Sequence, residues 1–157
     1  MKGMSKIVRT IACILIVPGI MFGLYVIIHG HLTPGGGFQG GAIIATISAL
    51  FIIAYGEKIR GVLNQDILSL AEGLALLAFI SLAFLGLSVT FFHNFLANEG
   101  FIFGKAIGFG INPGYLNTGG VIPLLNLAVG LEVFSALSLI VLVMYLSSKK
   151  EVLKDVN

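Results

Sequence analysis

The sequence contains little charge, and this scarcity sets the class of protein. Lysine, arginine, aspartate and glutamate make up only 10% of its 157 residues, whereas apolar residues make up 57%. An ordinary soluble domain is about 25% charged and about 45–50% apolar. The apolar residues suffice for about four membrane spans of ~20 residues each. The composition therefore excludes a soluble globular domain and a disordered chain, and predicts a protein of the lipid bilayer.

Three further scarcities exclude other functions. The net charge of +2 is too small for polyanion binding, so we expect no nucleic-acid partner. The single cysteine, Cys13, permits no intrachain disulfide and is too few for an iron–sulfur or zinc site. Signatures of soluble enzymes, such as HExxH or a nucleophile elbow, are missing. We therefore expect no cofactor, no metal site and no catalytic residue, and the chain by itself is not predicted to be an enzyme.

Four long apolar segments predict an all-α integral membrane protein with four transmembrane helices. They cover about residues 7–28, 38–55, 67–92 and 121–146 of one membrane domain, 1–157. Each is long enough to cross ~30 Å of hydrocarbon. None shows the two-residue alternation of barrel strands. In this arrangement eight of the nine basic residues lie on one side: Lys2, Lys6, Arg9, Lys58, Arg60, Lys149, Lys150 and Lys154. The positive-inside rule then predicts that both termini are cytoplasmic.

The outer connection between the third and fourth spans, residues 93–120, is unusually apolar for an aqueous loop. Gly100, Gly104 and Gly108 are spaced by four residues, which predicts one helical stripe that packs closely. We expect an interfacial helix or a cap docked on another membrane subunit, with a disordered loop as the alternative. The phenylalanines that make the connection apolar are Phe95, Phe101, Phe103 and Phe109.

A glycine-rich stretch, GHLTPGGGFQGG at residues 30–41, joins the first two spans on the outer side. Glycine permits close backbone approach, and proline cannot continue a helix. The stretch therefore predicts a tight turn that leads into a helix able to approach another helix closely. Direct contact with ions or water is the alternative. The residues concerned are His31, Pro34, Gly35, Gly36, Gly37, Phe38, Gly40 and Gly41.

Glu132 is the strongest candidate for ion chemistry. It lies about 11 residues into the fourth span, roughly 16 Å deep and therefore near the midplane. A charge there costs at least ~2.5–3.5 kcal/mol, and the spans contain no lysine or arginine at that depth. The hypothesis is a proton or cation path that also includes Asn126 and Glu72. The alternatives are a structural hydrogen bond for Glu132 and an interfacial ion pair of Glu72 with Lys58 or Arg60.

The three histidines, His29, His31 and His93, all lie at the outer ends of predicted spans. They could meet across the outer surface and titrate near neutral pH, as histidines do. Interfacial polar anchors are the alternative interpretation.

Residues 30–41, together with 117–123 and 126–133, resemble the MrpB-type component of the Mrp-type multi-subunit sodium/proton antiporters. This family includes the equivalent component of archaeal membrane-bound hydrogenases and sulfur-reducing respiratory complexes. The resemblance implies a small subunit of the prokaryotic cytoplasmic membrane that helps build a path for Na⁺ and H⁺. It also implies other antiporter subunits as partners and, in some complexes, a hydrogenase-type redox arm. Two alternatives are a scaffold that only bridges larger subunits and a transporter that acts alone.

Overall fold

The computed structural model describes residues 4–56, 63–102, 104–108, 110, 112 and 115–154, with side chains up to 148. It contains four long helices: α1 (Lys6–Ile28), α2 (Gly37–Tyr55), α3 (Gln65–Leu85) and α4 (Ile122–Lys154). All four are long and apolar enough to cross a membrane, α4 over Ile122–Ser148. The predicted all-α fold with four transmembrane helices is therefore confirmed. Several predicted features lie outside the described residues: Lys2, Lys58, Arg60, Phe103, Phe109 and the side chains of Lys149, Lys150 and Lys154.

The helices pack in the spatial order α1, α2, α4, α3. Helix α2 contacts both α1 and α4, and α4 also contacts α3, whereas α1 and α4 meet only slightly. We call the end of the bundle that holds the start of α1 the terminal side, and the opposite end the loop side. On the terminal side, Ile52, Leu68 and Leu142 form a buried cluster that joins α2, α3 and α4. Helix α4 is thus the element that both halves of the bundle share.

Helix α3 begins with a clear signal. The side chain of Asn64 accepts a hydrogen bond from the Asp66 N–H at 3.1 Å, and the Asp66 carboxylate lies in the first turn. A side-chain cap and an acidic first turn both stabilise a helix start.

The same helix ends at Leu85, whereas the sequence predicted a span that continues to Phe92. After Gly86 the chain folds back, and the Phe92 N–H donates to the Ala83 carbonyl at 3.2 Å. A methyl group on Gly86 would lie only 2.6 Å from the His93 nitrogen, so this reversal depends on glycine. Phe92 itself adopts a φ of 63°. The predicted end of the third span was therefore wrong, because the last apolar residues form turns.

The outer connection is held by asparagine side chains. Asn94 donates to the Gly119 carbonyl at 3.0 Å and accepts from the Val121 N–H at 2.8 Å. Asn117 is buried and donates to the Lys105 carbonyl at 2.9 Å. These bonds tie the connection to the start of α4.

The glycines of this connection do not form a helical stripe. The described residues between α3 and the short 3₁₀ turn at Leu116–Thr118 form turns and bends, and Gly104 has a φ of 87°. A methyl group on Gly100 would lie 2.8 Å from the Ala106 nitrogen, so the chain doubles back there. The expected interfacial helix is therefore wrong for this part of the chain, and docking on another subunit stays a prediction.

Candidate functional site

Glu132 lines a groove between α3 and α4. It lies ten residues after Ile122, which places it about 15 Å along the helix, near the middle of a ~30 Å hydrocarbon layer. Its side chain is half-buried. The groove has a volume of ≈ 220 Å³, and its other lining residues are Ala75, Leu76, Phe79, Ala128 and Val129. None of these lining residues is a cation, so the carboxylate faces a space lined by apolar side chains.

A second groove lies along the same pair of helices. It has a volume of ≈ 490 Å³ and is lined almost entirely by alanine and leucine, with Ser81 as its polar residue. Ala75 and Ala128 line both grooves, so these two small side chains separate them. The seam between α3 and α4 is therefore open on both sides of one alanine–alanine contact.

Glu72 lies on the same stripe of α3 as the groove that contains Glu132. Residues 72, 76 and 79 are spaced by four and three, which puts them on one helical face. Leu76 and Phe79 line the Glu132 groove, so Glu72 lies one turn nearer to the terminal side. Its side chain is half-buried. The structure therefore brings Glu72 and Glu132 to one face of the α3–α4 pair.

Asn126 lies on a different face of α4, beneath the glycine-rich turn. A methyl group on Gly30 would lie 2.6 Å from Asn126 Nδ2, and one on Gly36 would lie 3.3 Å from Asn126 Oδ1. Asn126 is not among the residues that line the Glu132 groove. The structure therefore places the three polar residues of the hypothetical ion path on two separate faces of α4.

The glycines of residues 30–41 lie where helices approach to backbone contact. A methyl group on Gly41 would lie 2.6 Å from the Gly130 carbonyl oxygen of α4. One on Gly40 would lie 2.5 Å from the Gly23 carbonyl oxygen of α1. Gly37 likewise packs against the Asn126 backbone. Alternate faces of α2 thus meet α1 and α4 through glycine.

The turn before α2 also depends on glycine. Pro34 precedes Gly35, which adopts a φ of 132°, a conformation that other residues rarely adopt. Phe38, in the first turn of α2, is 61% exposed on the surface of the bundle. This geometry is what a tight turn and close helix packing require, and Phe38 is free to contact lipid or a partner.

The three histidines have different surroundings. His29 stacks on Tyr25 with ring centroids 4.3 Å apart, and His93 lies against Gly86. His31 packs instead against the start of α4, since a methyl group on Gly119 would lie 2.8 Å from its Cγ. Both ring nitrogens of His31 are buried and have no hydrogen-bond partner within the described chain. His31 is therefore the histidine whose surroundings differ from those of an interfacial anchor.

Two groups of polar residues were not identified from the sequence. Ser135 and Ser138 of α4 are fully buried, and their hydroxyl oxygens have no partner among the described residues. The Tyr55 hydroxyl lies 2.8 Å from Cys13 Sγ and donates to the Arg9 carbonyl at 3.3 Å, which joins α2 to α1. The available signal was the three-residue spacing of two serines in an apolar span, which is typical of a helix contact.

Comparisons with known proteins agree with this arrangement. A family model described as a domain related to the MnhB subunit of Na⁺/H⁺ antiporters matches residues 7–139. An uncharacterised protein of Methanocaldococcus jannaschii is 35% identical over 136 residues, which are 85% of this chain and 50% of that protein. A putative antiporter subunit mnhB2 of Staphylococcus haemolyticus is 38% identical over 55 residues, 35% of this chain and 39% of that protein.

A solved structure has the same fold. A chain of the membrane-bound sulfane sulfur reductase, an archaeal respiratory membrane complex, superposes with a TM-score of 0.69 and is 35% identical. The match covers 87% of this chain and 56% of that chain. The present chain thus spans about half the length of the relatives that it matches most extensively. Because the family model covers most of its residues, this chain belongs to the family of domains related to the MnhB subunit of Na⁺/H⁺ antiporters.

Proposed function

We propose that this protein is a small membrane subunit of a heteromeric Na⁺/H⁺ antiporter module and helps to build its ion path. Its family and its four apolar helices support this role. The host is an antiporter complex or a respiratory complex with a hydrogenase-like redox arm, and the solved relative belongs to a complex of the respiratory kind. The chain lies in a prokaryotic cytoplasmic membrane with both termini in the cytoplasm, as its basic residues predict. Catalysis, where the host has any, belongs to other subunits.

One observation carries this proposal: the position of Glu132. Its carboxylate lies at mid-depth in a groove lined otherwise by apolar side chains. An ionised carboxylate at that depth costs at least ~2.5–3.5 kcal/mol unless a proton, a cation, water or a basic side chain stabilises it. The groove of ≈ 220 Å³ beside it provides room for such a group. Glu72 continues the same face toward the terminal side, so two carboxylates follow one another along the α3–α4 seam.

The experiment replaces Glu132 with glutamine in the intact complex. The amide cannot take up or release a proton, so we expect Na⁺-dependent proton movement in membrane vesicles to fall toward that of vesicles without the subunit. Glu99→Gln is the matched control, because Glu99 undergoes the same chemical change at an exposed position in the outer connection. Normal exchange by a fully assembled Glu132→Gln complex would overturn the proposal.

A scaffold that only bridges larger subunits is the second candidate function. The contacts of Gly40 with Gly23 and Ile27 favour it, because they show how much of the bundle depends on packing. This function predicts that Gly40→Leu or Gly36→Leu prevents assembly, whereas Glu132→Gln has no effect on ion exchange. Gly73→Leu is the control, because a side-chain carbon at Gly73 meets nothing within 4 Å. If the Gly40→Leu and Gly36→Leu complexes purify intact, the scaffold proposal fails.

A further inference from the structure

Three buried nitrogen atoms near the loop side have no hydrogen-bond partner within the described chain. They are both ring nitrogens of His31 and the amide nitrogen of Asn126. A buried polar group left without a partner costs about 1–3 kcal/mol. Most buried polar groups in native proteins are paired with protein or with ordered water. Three unpaired nitrogens in one region therefore indicate that a further group stabilises them.

The two side chains lie at the same junction of helices. The His31 ring packs against Gly119, and a methyl group there would also lie 2.9 Å from Pro123 Cδ, so His31 and Pro123 are close. Asn126 follows Pro123 by three residues, which is about one turn along the same face of α4. Gly30 and Gly36 flank the Asn126 amide. Both side chains thus lie beneath the glycine-rich turn, where α1, α2 and α4 meet.

The kinds of hydrogen-bonding group present select the ligand. A neutral imidazole offers one donor and one acceptor, and the asparagine amide nitrogen offers two donors. A water molecule both donates and accepts, and buried waters typically make about three hydrogen bonds to otherwise unpaired groups. A bare Na⁺ ion, by contrast, is held by oxygen ligands, as other hard cations are. The mixture of nitrogen donors and one acceptor therefore matches water and does not match a dehydrated cation.

We propose that His31 and Asn126 hold ordered water beneath the glycine-rich turn, at what we call the loop-side water site. The hydrogen-bonding argument for this site stands on its own. The site deepens the proposed function in one respect, and this part rests on that function. It places water on the loop side of α4, on a different face from Glu132, where protons would enter or leave the membrane region.

The test is hydroxyl-radical labelling by X-ray radiolysis of the purified complex in a mild detergent, since radicals formed from bound water modify the side chains beside it. We expect His31 to be modified in the assembled complex. Asn126→Leu replaces the amide with an apolar side chain of the same branching, and should reduce the modification of His31 several-fold. His29 is the internal control, because it lies on Tyr25, away from the site, and should be modified equally in both complexes.

The outcomes separate this proposal from the proposed function. If His31 is unmodified in the assembled wild-type complex, the site is filled by a partner side chain and the water proposal fails. Equal modification of His31 in the wild-type and Asn126→Leu complexes would also overturn it. Modification of His31 that depends on Asn126 supports the site, even if Glu132→Gln exchanges ions normally and only the proposed ion path fails.

Discussion

Replacing Gly41 with alanine should weaken the contact between α2 and α4, whereas the same change at Gly73 should not. A methyl group on Gly41 would lie 2.6 Å from the Gly130 carbonyl oxygen and 3.0 Å from Val133 Cβ. Ordinary contacts between such atoms are ~3.5–4.0 Å, so the helices must separate by about 1 Å. At Gly73, on the surface of α3, the added methyl group meets nothing within 4 Å.

The pair of variants isolates the cost of this separation. Overpacking a well-packed contact typically costs ~1–3 kcal/mol. Alanine also favours a helix over glycine by ~1 kcal/mol, but this gain applies at both positions and cancels in the comparison. We therefore expect Gly41→Ala to be less stable than Gly73→Ala by about 1–3 kcal/mol, a factor of about 5–150 in the unfolding equilibrium.

The assay is unfolding of the purified complex in mixed micelles as the fraction of SDS is raised, followed through this subunit. The Gly41→Ala complex should unfold at a lower SDS fraction than both the wild-type and the Gly73→Ala complexes. If Gly41→Ala and Gly73→Ala unfold at the same SDS fraction, α2 and α4 do not pack through Gly41 and Gly130, and the reasoning is refuted.

Three further predictions concern the ends of the bundle. Asn94→Ala removes two hydrogen bonds to the start of α4 at a cost of about 1–3 kcal/mol, so protease should cleave residues 93–120 faster, and an unchanged rate would contradict it. Tyr55→Phe loses the hydroxyl contacts with α1 and should lower stability in the SDS assay by ~0.5–1.5 kcal/mol. A midpoint equal to that of the wild type would show that these contacts contribute nothing. In a Cys13→Ala chain, an impermeant maleimide should label Ser5→Cys only from the cytoplasm and Thr33→Cys only from outside, and the reverse would overturn the orientation.

The four helices could be predicted from the sequence because hydropathy and length decide whether a segment can span a bilayer. The end of α3 could not, because hydropathy does not distinguish a helix from apolar turns. Leu87, Val89 and Phe91 are as apolar as the helix before them, yet they follow the reversal at Gly86. What stops the helix is a contact between Gly86 and the His93 backbone, which no property of either residue alone reveals.

The candidate site was predicted in depth but not in direction. The position of Glu132 near mid-depth follows from counting residues. Six positions along a helix leave Asn126 and Glu132 about 120° apart around its axis, but the sequence does not say which neighbour each one faces. That depends on the packing order of the helices, with α2 and α3 on different sides of α4. The role of each residue in ion movement stays a prediction.

Helix α4 joins the tight and the open parts of the bundle, and this explains why the two proposed functions need not compete. Gly130 and Glu132 are two residues apart and therefore point about 200° away from each other. Gly130 meets the backbone-close contact with Gly41, and Glu132 faces the groove beside α3. The glycine contact fixes the rotation of α4, and that rotation directs the carboxylate into the open seam. On the tight seam the same carboxylate would lie against backbone carbonyl oxygens, with no room for water or a cation. Close packing on one face is thus what gives an acid on the other face the space that ion chemistry requires.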